Sequence, residues 1–360
     1  MTKHRRLANL AAGLLGLALV LAGAEAAPPD PPRRGEAPVT AGVFFATNRL
    51  REPGASGPEA YGGDRGVPAY GRCEVAFEPI PGLHQVTDKL PFYLPSEINS
   101  VRLAGEFAAD DFWGRLETGV GAAGGSLVVF VHGYNYGFER TCRMASELQR
   151  NLGAGAAVLM FSWPANGIPT DYVRDQADVE WSVPFLAEFL ATAASRLGSD
   201  RVQVLAHSLG TRGVLHALER MRADRVPAPA VGRLVLLAPD YDSQTFIERL
   251  PRIAGMVAEP ITLYASENDT ALKVSRGLSG YPRLGEGGPL LTLADGMESI
   301  DVSPAGRYQI LGHEYFFYHP RVVSDLVGLL TTGEAAARRA GTRERRRDGR
   351  VFWEIGDAAP

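Results

Sequence analysis

One serine of this chain stands where it could act as a nucleophile. Ser208 belongs to the segment A-H-S-L-G, residues 206–210, which directly follows the apolar run 202–205 and directly precedes a helical pattern. A serine hydroxyl is presented for attack on a tight turn from strand to helix. Small flanking residues relieve crowding there, and the helix N-terminus favours developing negative charge. The match in this context predicts that Ser208 attacks an acyl carbon.

A nucleophilic serine needs an acid and a base as partners. Imidazole must take the serine proton, and a carboxylate must fix the imidazole tautomer and stabilise the imidazolium. Asp269 lies just after the strand-like run 261–265 and is the predicted acid. Asp240, directly after another apolar run, is the alternative acid or a turn or helix-capping residue, and Glu267 is a third candidate.

The base is sought among the histidines that follow the acid. His313 lies in a loop before the last helical pattern, residues 322–330, and is the predicted base. His319 directly precedes Pro320 at the expected start of that helix, so a structural role is predicted for it. His207, beside the serine, is expected to pack rather than to act as the base.

The negative oxygen formed during attack needs two backbone N–H donors. One should come from the residue after the nucleophile, Leu209, and the other from a loop after an earlier strand. The segment V-H-G-Y-N, residues 131–135, ends such a strand and contains a glycine that allows close approach to substrate. The N–H of Tyr134 is the predicted second donor.

Alternating strands and helices are expected to position these residues. Short continuous apolar runs suit strands buried on both faces, and helical patterns lie between them, which is typical of a doubly wound, mostly parallel α/β sheet. The runs are 127–131, 157–161, 202–205, 234–237 and 261–264, and the clearest helical patterns are 139–152, 179–197 and 209–222. Residues 43–47 and 73–77 predict two antiparallel strands at the sheet edge, and residues 277–296 predict a long loop beside the site.

The N-terminus has the features of an export signal. Three basic residues precede an apolar run of about 16 residues and an A-E-A site, which predicts a signal peptide over 1–26 and an exported, periplasmic or secreted protein. Anchoring by an uncleaved segment is the alternative. Residues 27–38 are Pro-rich and predict an extended linker.

Charge and cysteine content limit the partners. The formal net charge of −4 shows no signature of nucleic-acid binding. Seven arginines after residue 333 could bind anionic lipid at a membrane surface, but such a run is usually solvated, so 333–360 is predicted to be a disordered tail. Cys73 and Cys142 could pair in an oxidising compartment or remain thiols.

Several segments together resemble a known family. They are F-F-A-T-N-R (44–49), V-H-G-Y-N (131–135), F-S-W-P (161–164), A-H-S-L-G (206–210), A-P-D-Y-D (238–242) and G-H-E-Y-F (312–316). The chain resembles, over residues 40–330, an uncharacterised bacterial family of the α/β-hydrolase superfamily related to esterases and lipases. The resemblance implies the α/β-hydrolase fold for a domain over 39–332 and supports His313 over His319.

The predicted activity is hydrolysis of a carboxylic ester through an acyl-enzyme. A small-molecule or lipid ester is the expected substrate, and the chemistry requires no metal or organic cofactor. An acyltransferase or cell-envelope modifying enzyme with the same triad is the first alternative. A non-catalytic binding module on a hydrolase fold is the second.

Overall fold

Three antiparallel strands are the first elements along the described part of the chain. The computed structural model describes residues 38–87 and 89–356. These strands are β1 (Val39–Arg51), β2 (Tyr61–Pro79) and β3 (Glu97–Phe107), with β1 paired to β2 and β2 paired to β3. The sequence predicted the first two but not β3. Most side chains of β3 are partly or fully exposed, so it lacks the apolar run by which the other strands were found.

Parallel strands buried on both faces form the centre of the sheet. They are β4 (Leu127–Val131), β5 (Ala157–Ser162), β6 (Val202–His207), β7 (Arg233–Leu237), β8 (Ile261–Ala265) and β9 (Met297–Asp301). With the C-terminal strands β10 (Thr342–Arg347) and β11 (Arg350–Ile355), the described residues form one sheet of order β10-β11-β9-β8-β7-β6-β4-β5-β1-β2-β3. All residues of β4, β5, β6 and β8 are buried. The predicted doubly wound, mostly parallel sheet is confirmed.

Helices cover both faces of this sheet. They are α1 (His84–Thr87), α2 (Ala109–Ala122), α3 (Phe138–Leu152), α4 (Tyr172–Trp181), α5 (Val183–Leu197), α6 (Gly210–Ala223), α7 (Ser243–Ala254), α8 (Thr270–Ser279), α9 (Tyr315–Tyr318) and α10 (Pro320–Thr332). Two separate clusters of buried apolar side chains result. The single helix expected over 179–197 is two helices that meet at Ser182, because Pro184 lacks an N–H and fits the first turn of α5.

The strand order changes direction between β4 and β6. The chain passes from β4 to β5 on one side and then returns to place β6 on the other side of β4. Loops that leave the carboxyl ends of β4 and β6 therefore diverge and leave a crevice, which is where open α/β sheets bind ligands. Ser208 directly follows β6, and residues 132–137 directly follow β4.

The C-terminal arginines are ordered, which corrects the prediction of a disordered tail over 333–360 as far as residue 356; residues 357–360 lie outside the described residues. β10 and β11 form an antiparallel hairpin, and β11 pairs in parallel with β9, so the sheet continues to Ile355. Asp348 and Gly349 both adopt positive φ between the strands. Aspartate followed by glycine between two β patterns is a strong hairpin signal. The prediction used the high arginine content of this segment and overlooked that signal.

Arg339 explains why part of this basic run is not solvated. Its guanidinium Nε donates to Asp325 at 2.8 Å and its Nη1 to Glu298 at 3.0 Å, and the residue is buried. A buried charge is retained only when it is paired. The run therefore contains a structural ion pair as well as exposed arginines.

Cys73 and Cys142 form a disulfide between β2 and α3, with Cα atoms 6.4 Å apart. The question left open by the sequence is thus answered by the fold, which brings the two residues within bonding range.

The predicted signal peptide, 1–26, and all but the last residue of the predicted linker, 27–38, lie outside the described residues. Among the helices that the structure describes, none has the length and apolarity to cross a membrane.

Candidate active site

Ser208 lies in a strained turn between β6 and α6. Its φ is +51°, its N–H donates to the carbonyl of Leu237 at 3.0 Å, and its carbonyl accepts the N–H groups of Thr211 and Asp240, both at 3.1 Å. A left-handed conformation at a residue other than glycine costs about 1–3 kcal/mol and persists only where its surroundings enforce it. The neighbouring strand and helix therefore hold this serine in an unfavourable backbone conformation.

Two glycines allow the turn to pack against the β4 loop. A Cβ on Gly210 would lie 2.3 Å from the carbonyl oxygen of His132, and one on Gly133 would lie 2.8 Å from the Cβ of Ser208. Real Cβ contacts of this kind are not observed, so both positions require glycine. The close approach places the loop after β4 directly against Ser208.

His313 and Asp269 are joined by a short hydrogen bond. His313 Nδ1 lies 2.6 Å from Asp269 Oδ2, and the other carboxylate oxygen, Oδ1, accepts the N–H of Leu272 at 3.0 Å as the N-cap of α8. The helix cap fixes the orientation of the carboxylate. Because an ionised carboxylate only accepts hydrogen bonds, Nδ1 carries the proton, and Nε2 of the neutral ring is left as the acceptor.

The environment raises the pKa of His313 above its ordinary value. Burial of the ring lowers the pKa, but the charge of Asp269, the hydrogen bond to it and the charges of Glu314 and Asp240 together raise the pKa by more. The His313 side chain retains 16% of its exposure, whereas Asp269 is fully buried. The carboxylate is thus sequestered and the imidazole is within reach of a ligand.

His207 places the His313 ring beside the nucleophile turn. The rings of His207 and His313 are 4.9 Å apart, and His207 also packs edge-on to Phe316 and Tyr136. Burial holds the pKa of His207 well below its usual range. His207 is a neutral packing residue between Ser208 and the His313 loop.

Two backbone N–H groups beside Ser208 are unpaired. Neither the N–H of Leu209 nor that of Tyr134 donates to another group within residues 38–87 and 89–356. The phenol of Tyr134 donates to the carbonyl of Pro169, and its ring packs edge-on to Tyr172 at 5.2 Å. The two N–H groups belong to the loops that meet at the crevice, so they are available to a negatively charged oxygen.

Arg49 anchors the loop that carries Tyr134. Its guanidinium donates to the carbonyls of Tyr136 and Ala165, both at 2.6 Å, and to the hydroxyl of Ser162 at 2.8 Å. The side chain is fully buried, and burial lowers its pKa to about 9 although Asp175 and Asp178 act in the opposite direction. One cation thereby joins the loops after β4 and β5.

Asp175 fixes the same loop from α4. Its Oδ2 accepts the N–H of Asn135 at 2.9 Å, at a residue with φ of +63°. Burial raises the pKa of this carboxyl, while the N–H groups of Asn135 and Asn166 oppose that rise. The buried carboxylate of Asp175 therefore fixes the backbone at Asn135, the residue directly after Tyr134.

Asp240, the alternative acid, is bound elsewhere. Its Oδ1 accepts Nε of Arg283 and Oγ of Ser275, both at 2.7 Å, and its Oδ2 accepts the hydroxyl of Tyr172 at 2.6 Å. Its side chain and that of Arg283 are each about 5% exposed. The helix-capping role that the sequence offered for Asp240 belongs to Asp242, which accepts the N–H of Thr245 at 2.7 Å.

The other two candidates lie outside this group. Glu267 is exposed, and its side chain lies beside Gly288. His319 is the N-cap of α10, and its Nε2 lies 3.2 Å from the carbonyl of Ala305. The structure thus brings Asp269, His313 and the turn of Ser208 together at the carboxyl ends of β6 and β8.

Three supporting residues were not identified as such from the sequence. Arg49, Asp175 and Glu314 hold the loops of the site, and Arg49 and Glu314 lie within the F-F-A-T-N-R and G-H-E-Y-F segments. Each of them binds a group at least 40 residues away along the chain, so no local pattern identified it.

Comparisons with known proteins identify the family. A stretch of 65 residues is 35% identical to an uncharacterised protein of Nostoc sp., and it spans 18% of this chain and 17% of that relative. Among solved structures, the chain is similar to an esterase of Pyrobaculum calidifontis at 13% identity and a TM-score of 0.33, over 74% of this chain and 82% of that one. It is also similar to a thermostable carboxylesterase from a metagenomic library at 12% identity and a TM-score of 0.33, over 92% and 95%. The model of one family matches residues 115–330, more than half of the chain, and the protein therefore belongs to the family described as alpha/beta hydrolase of unknown function.

Proposed function

We propose that this protein is a serine hydrolase of carboxylic esters, with Ser208 as nucleophile, His313 as base and Asp269 as acid. The backbone N–H groups of Tyr134 and Leu209 would form the oxyanion hole. The observation that carries the proposal is the pairing of His313 with a buried Asp269 at 2.6 Å, beside a serine held at positive φ.

The proposed reaction begins with proton transfer and attack. Ser208 Oγ bonds to the ester carbonyl carbon while its proton passes to His313 Nε2. The carbonyl oxygen becomes an oxyanion, which the N–H groups of Tyr134 and Leu209 stabilise. When the tetrahedral carbon collapses, the carbon–oxygen bond to the alcohol breaks, and the alcohol leaves with the proton from His313.

Water completes the cycle. His313 removes a proton from water, whose oxygen attacks the acyl-enzyme, and the bond to Ser208 Oγ breaks as the serine recovers a proton. The acid is released and the enzyme returns to its starting state. An alcohol in place of water would give acyl transfer with the same residues.

The side chains near the crevice favour an uncharged substrate. The carboxylate of Asp240 is neutralised by Arg283, burial disfavours a charge on His207, and Tyr134 and Tyr172 place aromatic rings over the loop after β4. A charged group buried here would lack a counter-ion. We therefore propose a neutral small-molecule or lipid ester, without a role for nucleic acid.

The disulfide supports the proposal of export. A bond between Cys73 and Cys142 persists in oxidising compartments, and the N-terminal residues have the pattern of a signal peptide. We propose that the folded protein works in the periplasm or outside the cell.

Ester hydrolysis by the purified protein tests the proposal. We expect turnover of p-nitrophenyl esters of graded acyl length, and a loss of about 10⁴- to 10⁶-fold in Ser208→Ala. Added alcohols separate hydrolase from transferase, because a transferase forms the new ester in preference to the free acid. Absence of turnover and of transfer with every ester, from protein shown to be folded, would contradict the proposed function.

A further inference from the structure

Glu314 links the two loops that face Ser208. It directly follows His313, and its Oε1 accepts a hydrogen bond from the phenol of Tyr136 and another from Nη2 of Arg140 at 2.7 Å. Tyr136 lies at the end of the loop that carries Tyr134, and Arg140 lies in the first turns of α3. One carboxylate thus ties the segment of the proposed base to the segment of the proposed oxyanion hole.

The partners of Glu314 are themselves fixed. Tyr136 is buried, its carbonyl accepts from Arg49 at 2.6 Å, and its ring packs edge-on to His207. The Arg140 guanidinium lies 4.0 Å from the centre of the Tyr136 ring. Burial and the neighbouring charge of Glu314 raise the pKa of Tyr136 well above its usual value, so it remains a donor. The link therefore joins Glu314 to a buried phenol and to a guanidinium that packs on the ring of that phenol.

The end of the loop before His313 is exposed. Ile310 is 91% exposed and Leu311 is 58% exposed. The carbonyl of Leu311 accepts the N–H of Thr270 at 2.9 Å, and the Gln309 side chain accepts the N–H of Glu314 at 3.2 Å. A loop with so little buried surface is readily displaced. On the C-terminal side of the imidazole, the Glu314 side chain joins this loop to Tyr136 and to Arg140 of α3.

We propose that Glu314 is a positioning residue, which holds His313 in line with Ser208 by binding Tyr136 and Arg140. The role rests on the proposed function, because it concerns the alignment of base and nucleophile. Displacement of a reacting group by about 1 Å can reduce a rate by about a hundredfold. Glu314 would act through geometry and would touch no substrate.

Charge gives this role a second consequence. The carboxylates of Asp269, Glu314 and Asp240 favour the charged form of His313. The ring of His207, at the end of β6, packs against the imidazole. Removal of the Glu314 charge lowers the pKa of His313. Because the base acts in its neutral form, the acid limb of the rate profile should then move to lower pH.

The test compares two variants of the bridge with a surface control in the full-length protein. Glu314→Gln removes the charge, and Tyr136→Phe removes only the phenol donor. The control, Glu117→Gln, removes an exposed carboxylate of α2 that pairs with Arg196 of α5 at 2.9 Å. We measure kcat and KM for a p-nitrophenyl ester, the pH dependence of kcat/KM, and thermal unfolding of each protein.

We expect kcat to fall about tenfold in Glu314→Gln and several-fold in Tyr136→Phe, with KM little changed. The acid limb should move to lower pH in Glu314→Gln and much less in Tyr136→Phe, which keeps the carboxylate. Glu117→Gln should match the wild type. If Glu314→Gln folds poorly, the kcat of folded Tyr136→Phe decides.

Two results would overturn the proposal in distinguishable ways. An active wild type whose bridge variants match Glu117→Gln in kcat and in pH profile would show that Glu314 is merely structural. A folded wild type without esterase or acyl-transfer activity would instead remove the proposed function, and this role with it.

Discussion

The loops after β7 and β8 present two buried aspartates with opposite surroundings. Asp240 follows β7 and is surrounded by donors from Arg283, Ser275 and Tyr172. Asp269 follows β8, caps α8 with one oxygen and binds His313 with the other. Both lie at the carboxyl edge of the sheet, where either could have served as an acid.

The difference shows that partners rather than position decide the role of a carboxylate. An arginine neutralises Asp240 and makes it part of the scaffold, since a buried ion pair is satisfied within itself. Within the described residues Asp269 forms no ion pair with an arginine, and it meets instead a titratable ring. The negative charge is therefore available to stabilise a protonated His313 ring, as the proposed mechanism requires.

Among variants of these two loops, Asp269→Asn is expected to have the largest effect on catalysis. We expect kcat/KM for an ester to fall by about 10³–10⁴, because an amide can neither hold the imidazole tautomer nor stabilise its charge. Asparagine still caps a helix, so thermal unfolding should change little. Retention of activity within a few-fold of the wild type would break the contrast between the two loops.

Asp240→Asn should act on stability in place of chemistry. It leaves Arg283 buried without its counter-ion, so the free energy of unfolding should fall by about 3 kcal/mol, measured by urea denaturation. The kcat of the folded variant, measured well below its melting temperature, should stay within about tenfold of the wild type. If this variant kept its stability and lost activity as Asp269→Asn does, the two roles would be exchanged.

The pH profile separates the two aspartates further. The raised pKa of His313 places the acid limb of kcat/KM above that of an ordinary histidine, because protonated imidazole cannot accept the Ser208 proton. Asp269→Asn should move this limb to lower pH, and Asp240→Asn should move it less, since its influence on the ring is weaker. Equal movement in both variants would contradict the assignment.

The smallest expected effect concerns Tyr172, which donates to Asp240 at 2.6 Å. Tyr172→Phe leaves Asp240 bound to Arg283 and Ser275, so the free energy of unfolding should fall by only about 1 kcal/mol. The acid limb of the pH profile should not move. A change in that limb as large as in Asp269→Asn would show that the Asp240 group is part of the proton-transfer system.

The sequence predicted the central strands and the residues at their ends because those signals are local. Ser208 was found from a strand, a turn and a helix within about 20 residues, and the chain order of acid and histidine restricted the remaining choices. The preference for Asp269 over Asp240 used only loop position. The partners that distinguish them, His313 and Arg283, lie 43 or 44 residues further along the chain.

The supporting contacts could not be predicted in this way. Arg49 binds carbonyls 87 and 116 residues away, and Glu314 binds side chains 174 and 178 residues away. Backbone carbonyls carry no sequence signal, so a buried arginine that binds them is recognisable only in the fold. The prediction of a disordered C-terminal tail was wrong for the same reason, since the pairing of Arg339 with Asp325 depends on tertiary structure.

Reaction with a fluorophosphonate, followed by intact mass measurement and peptide mapping, tests the central claim most directly. One adduct should form on the peptide that contains Ser208. It should be absent in Ser208→Ala, formed far more slowly in Asp269→Asn, and formed at near wild-type rate in Asp240→Asn. An adduct elsewhere in the chain, or no adduct on folded wild-type protein, would contradict the assignment of Ser208 as a nucleophile activated by His313 and Asp269.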